Sequence, residues 1–83
     1  VMLNRLQIFN YQNVQVRTVI KDNEPWFVAK DVCEILEISK YRDAISRLPE
    51  FMRGSVVVDT LGGKQEMAAI SESGVYKLVF VFN

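Results

Sequence analysis

The sequence has no histidine and a single cysteine, Cys33. Without imidazole there is no histidine base, no histidine-oriented serine nucleophile and no histidine metal ligand. One thiol excludes an internal disulfide and every cysteine-rich zinc pattern, and it fits a reducing, intracellular setting. Glycine and proline are scarce as well, at four and two residues among 83. With 49% apolar and 11% aromatic residues, the chain is no disordered tail, collagen-like repeat or low-complexity linker. Long hydrophobic runs are missing: the longest, Leu78 to Phe82, has five residues, where a bilayer-spanning helix needs about 20. No basic-then-apolar stretch opens the chain as a signal peptide would. A net charge is missing too, since ten basic and ten acidic side chains cancel, so no overall field draws the protein to nucleic acid or a membrane. The expectation is one soluble, cytoplasmic domain over residues 1–83, with no membrane partner, metal, cofactor or catalytic residues.

What is present falls into segments of two periods. Leu6, Ile8 and Asn10 alternate with Gln7, Phe9 and Tyr11, and after Gln12-Asn13 the residues Val14, Val16, Thr18 and Ile20 alternate with Gln15, Arg17, Val19 and Lys21. Two alternating runs around polar turn formers predict a β-hairpin. Asp22-Asn23-Glu24 predicts a second turn, with Asn23 able to take a positive φ. Pro25 then belongs at the start or edge of a strand through Trp26-Phe27-Val28, and these two aromatics are expected to anchor the sheet to the helices.

From Lys30 to Leu48 the spacing becomes helical. Val32, Cys33, Ile35 and Leu36 form one stripe; Tyr41, Ala44, Ile45 and Leu48 form another. Asp31 suits the first turn of the first helix, Ser39 is the expected N-cap of the second, and Pro49 ends it. After Gly54, two strand-like runs flank Leu61-Gly62-Gly63, which predicts a hairpin turning at Gly62-Gly63. Ser71-Glu72-Ser73 predicts the start of a third helix, although Val75 to Phe82 is rich in residues that favour strands. The fold class is α+β: a small antiparallel sheet, two short helices in a helix-turn-helix-like pair, a β-hairpin and a C-terminal helix.

Several of these stretches resemble the N-terminal domain of the BRO family of prophage antirepressors and baculovirus-type proteins. They are Leu6-Gln7-Ile8-Phe9-Asn10, Val16-Arg17-Thr18-Val19, Glu24 to Leu36, Arg42 to Leu48, Asp59-Thr60 with Gly62 to Met67, and Ile70 with Glu72 to Leu78. The Trp26-Phe27-Val28-Ala29 segment with Asp31-Val32, and Glu72-Ser73-Gly74 with Tyr76, are the most specific. The resemblance implies a small module for transcription regulation that binds DNA, or alternatively binds and inhibits a phage repressor without contacting DNA. Family members commonly carry glycine in the turn after the first helix, where this chain has Glu37. The family domain also continues with a basic helix, so the resemblance implies a BRO-N-like domain cut short at Asn83.

The residues themselves supply candidates for nucleic-acid contact. With Tyr41, Ala44, Ile45 and Leu48 facing inward, Lys40, Arg42, Asp43, Ser46 and Arg47 share the opposite arc. Two short helices with the second presenting cations outward resemble a helix-turn-helix. Formal charge by region runs +3 over 1–21, −4 over 22–37, +2 over 38–53 and −1 over 54–83, a local basic patch. Lys40, Arg42 and Arg47 are the primary candidates, with Lys30, Arg53 and Lys64 as supporting phosphate contacts. The competing reading is an ordinary solvated helix face, with Asp43 and Glu50 diluting the patch. Phe9, Tyr11, Trp26, Phe27, Tyr76, Phe80 and Phe82 could stack bases, but core packing is the simpler assignment. Gly62-Gly63-Lys64 lacks the spacing of a phosphate loop and has Gln65 where a hydroxyl is required. The apolar C-terminal segment exceeds what one helix face needs to bury, which suggests a homo-oligomer contact, a docked domain or a truncated edge.

Overall fold

A computed structural model describes residues 5–11 and 14–82, and side-chain surroundings for 15–81. Its strands are β1 (Arg5–Tyr11), β2 (Val14–Lys21), β3 (Glu24–Val28), β4 (Arg53–Thr60) and β5 (Gly63–Ser71). Its helices are α1 (Ala29–Ile35), α2 (Tyr41–Ser46) and α3 (Glu72–Phe82), with one 3₁₀ turn at Glu50–Met52. The strands form one antiparallel sheet in the order β1-β2-β3-β5-β4. This is the α+β architecture that the alternating and helical spacings predict. The side chains of Leu6, Ile8 and Asn10, and the Gln12-Asn13 turn, lie outside the described residues.

Local chemistry sets the chain's course at each bend. Asp22 and Asn23 take φ of 54° and 65° between the paired residues Lys21 and Glu24. Two consecutive positive φ values match the right-handed twist of the flanking strands. The β4–β5 hairpin turns one residue earlier than expected, at Leu61-Gly62, because Thr60 and Gly63 already pair. The Thr60 hydroxyl accepts from the Gly62 N–H (3.2 Å) and donates to the Gly63 carbonyl (2.7 Å). Gly63, at φ 107°, supplies the positive φ that only glycine tolerates easily.

Two strands pass straight into helices. β3 becomes α1 between Val28 and Ala29, and β5 becomes α3 between Ser71 and Glu72. At the second junction the Gly74 N–H donates to the Ser71 hydroxyl (3.2 Å), so Ser71 caps α3. That cap, and burial of Leu78, make the strand-favouring Val75–Phe82 run helical. Ser39 does not cap α2. The N-cap is Lys40, without a side-chain bond, because the chain leaves α1 through a longer reversal at Glu37.

Adjacent residues of a strand face opposite sides, and both sides of this sheet are packed. Val16, Phe27 and Ile70 meet Ala29, Val32 and Cys33 of α1, Ala44 and Ile45 of α2, Leu48 and Leu78. The opposite side carries Val19, Trp26, Val28, Val56, Val58, Met67 and Ala69. Phe27 therefore anchors the helices as expected. Trp26 does not: its indole lies across Gly54, where an added Cβ would meet ring carbons at 3.4–3.9 Å. Tyr76 and Phe80 are no core residues either, being 65% and 89% exposed on α3. Phe9, Tyr11 and Phe82 have side chains outside the described set.

Candidate nucleic-acid interface

The turn between α1 and α2 decides how the two helices present their polar sides. The Ile38 N–H donates to the Cys33 carbonyl (2.8 Å) and the Glu37 N–H to the Glu34 carbonyl (3.2 Å). This double closure is the glycine-favouring helix end, and Glu37 adopts it at φ 59°. The turn thus keeps the shape glycine would take, at the cost of holding a glutamate in left-handed backbone. Ile38 and Cys33 pack into the same apolar cluster, which completes the closure. Cys33 is a free, buried thiol, and desolvation pushes its pKa up.

A second device anchors the start of α1. The Asp31 carboxylate accepts from Arg17 Nε (2.8 Å), from a terminal Arg17 nitrogen (2.8 Å) and from the Arg17 backbone N–H (3.0 Å). Where β3 has ended, a side chain therefore serves a β2 backbone donor. Burial pushes the Asp31 pKa up, but the hydrogen bonds and charge of Arg17 prevail and hold it below the usual carboxylate range. The same pairing raises Arg17. Spacing alone assigned Asp31 to the helix dipole and gave Arg17 no role; only a pairing 14 residues apart in sequence reveals the clamp.

With α1 and α2 held this way, Ala44, Ile45 and Leu48 are buried, while Lys40, Arg42, Asp43, Ser46 and Arg47 are exposed. The arc expected from helical spacing exists, but its cations differ. The Arg42 guanidinium lies 5.8 Å from the Tyr41 ring centroid and donates from Nε to the Tyr41 hydroxyl at 3.4 Å, which raises its pKa. Arg47 pairs with Asp43 at 3.2 Å. Lys40 and Arg47 line one shallow cleft of about 350 Å³ together with Asp43. Lys30 and Arg42 line another of about 420 Å³, whose far wall is Gln65 to Ala68 of β5. Arg53 and Lys64 line neither cleft. They sit at opposite ends of the β4–β5 hairpin, roughly 20 Å apart at ~3.3 Å per residue, and Lys64 faces Asp59 at 3.6 Å. The six candidates thus form two pairs and two isolated cations. Tyr41, read from spacing as a core residue, is half-buried and serves also as the shelf for Arg42.

Among the described residues no group of three metal-ligating side chains comes together, and no helix is long and apolar enough to cross a membrane. A family model described as the BRO family, N-terminal domain, matches residues 15–83. The chain belongs to this family. The match takes in β2, the helical pair, the hairpin and α3, so the BRO domain accounts for every element that builds the two clefts. An uncharacterized protein of Haemophilus influenzae is 32% identical over 84 aligned positions, covering 94% of this chain and 41% of the relative. The chain therefore spans about two-fifths of that relative's length. No solved structure matches.

Proposed function

We propose that this BRO domain is the cytoplasmic DNA-binding module of a phage-type antirepressor, acting in transcription regulation by binding and not by catalysis. The observation that carries the reading is α2: Ala44, Ile45 and Leu48 hold it to the core while Lys40, Arg42 and Arg47 face solvent. Membership of the BRO family supports the same assignment. In this reading Arg42, braced on the Tyr41 ring, is the base-reading residue, because a stacked guanidinium forfeits less rotamer freedom on binding. Lys40 and Arg47 neutralise phosphates, with Arg47 exchanging Asp43 for a phosphate oxygen, and Lys30, Arg53 and Lys64 contribute at longer range. Anisotropy titrations of duplex DNA at two salt concentrations test it. Binding should weaken steeply with salt. Arg42→Ala should cost about 1–3 kcal/mol and relax sequence preference, whereas Arg47→Ala should lower the salt slope by about one. Absence of salt-dependent DNA binding by the folded domain would overturn the reading.

A second reading draws on α3. Tyr76, Phe80 and Val81 are exposed apolar side chains within two turns of one helix, the kind of patch that marks a protein contact. Here the module binds a phage repressor, or a second copy of itself, through α3. It is favoured if the domain ignores DNA and Phe80→Ser abolishes capture of the repressor.

A further inference from the structure

β5 is longer than the strand beside it. It pairs with β4 from Gly63 to Ile70 but with β3 only from Ala69 to Ser71, since β3 gives way to α1 after Val28. From Lys64 to Ala68, β5 consequently has a strand on one side only. Residues of a strand direct their backbone groups alternately to either side, so this stretch offers N–H and C=O groups without a ladder partner over roughly 16 Å. Among the described residues no hydrogen bond from α1 or α2 reaches the backbone of Gln65 to Ala68. The 420 Å³ cleft lies here, in the place a longer β3 would occupy, with Lys30, Tyr41 and Arg42 as its opposite wall.

Charge says what suits this place. Neither Lys30 nor Arg42 has a carboxylate within ion-pair distance among the described residues, unlike Arg17, Arg47 and Lys64. Glu66 also lines the cleft, but its carboxylate accepts from the Ser55 hydroxyl at 3.2 Å on the β4 side. A nucleic-acid backbone would satisfy the cations and the N–H groups, yet its phosphates cannot donate to the open carbonyls. A polypeptide strand satisfies both.

We propose that this notch takes an extended acidic peptide segment of a partner protein, added to β5 where β3 leaves off. Its backbone completes the ladder along Gln65 to Ala68, and its carboxylates meet Lys30 and Arg42. This goes beyond the DNA reading and does not depend on it. The test is amide NMR of the 83-residue chain with three capped hexapeptides: one alternating valine and glutamate, its lysine counterpart, and the glutamate peptide with alternate amides N-methylated. The glutamate peptide should shift amides within Lys64 to Ala68 and slow the hydrogen exchange of the alternate ones that face away from β4. The lysine and N-methylated peptides should bind at least tenfold more weakly, and Lys30→Glu should weaken the glutamate peptide by a similar factor. Equal binding of both charge types, binding that survives N-methylation, or protection along Arg53 to Thr60 instead would overturn the proposal. Protection of the same amides by duplex DNA, with no response to the glutamate peptide, would also overturn it. Loss of DNA binding with the peptide response intact would remove the DNA reading alone.

Discussion

Two arginine–aspartate pairs stand at the two helices of the pair, and they do different things. Arg17 and Asp31 join β2 to α1 through three hydrogen bonds of 2.8–3.0 Å, with side chains 27% and 8% exposed. Arg47 and Asp43 meet within α2 at a single 3.2 Å contact, 66% and 61% exposed. The first joins elements distant in sequence and satisfies a strand's backbone donor; breaking it strands a buried group. The second connects neighbours already held by the helix and competes with water. The same residue types are therefore structural where the sheet ends and available for binding where the helix faces solvent.

The sharpest way to break this contrast is to remove one partner from each pair. Asp31→Ala should destabilise the domain by about 2–3 kcal/mol, toward the lower side of buried-pair losses because Arg17 keeps some solvent contact; urea unfolding measures it. The pair also predicts a pH dependence. The native pKa of Asp31 is depressed, so its contribution is complete above its unfolded pKa of about 4 and is lost as pH falls through the native value. Asp31→Asn should therefore flatten the acid limb of a stability–pH curve, and an unchanged limb would deny the clamp its role.

A buried polar group without a partner should behave oppositely. Thr18 is fully buried beside Arg17, and its hydroxyl has no partner among the described residues. Thr18→Val should raise stability by about 1 kcal/mol, since it removes an unsatisfied group at nearly constant volume. Relief of backbone strain should be of similar size: Glu37→Gly, at φ 59°, should stabilise by about 0.5–1 kcal/mol, seen as a higher melting temperature. The smallest effect belongs to the exposed pair. Asp43→Ala and Arg47→Ala should each change stability by no more than about 0.5 kcal/mol. A loss above ~1 kcal/mol in either would erase the distinction between the pairs.

Much of this protein is legible in its residues because alternation and helical spacing are local signals. The hairpin at Asp22-Asn23, the stripes along α1 and α2, the solvent-facing arc of Lys40, Arg42 and Arg47, and the burial of Cys33 all follow from neighbours within a turn or two. Membership of the BRO family was legible as well, in the segments around Trp26 and Glu72. Tertiary structure decided the rest. It helped set Val75–Phe82 as helix by capping it with Ser71 and burying Leu78. It turned Trp26 onto Gly54 and away from the helices, because adjacent residues of β3 face opposite sides of the sheet and of the two aromatics only Phe27 lies on the helix side. It also paired Arg17 with Asp31 and set Lys30 and Arg42 across from β5. Those relations join residues far apart in sequence, and a spacing pattern reports which way a side chain points, not what the folded chain brings to meet it.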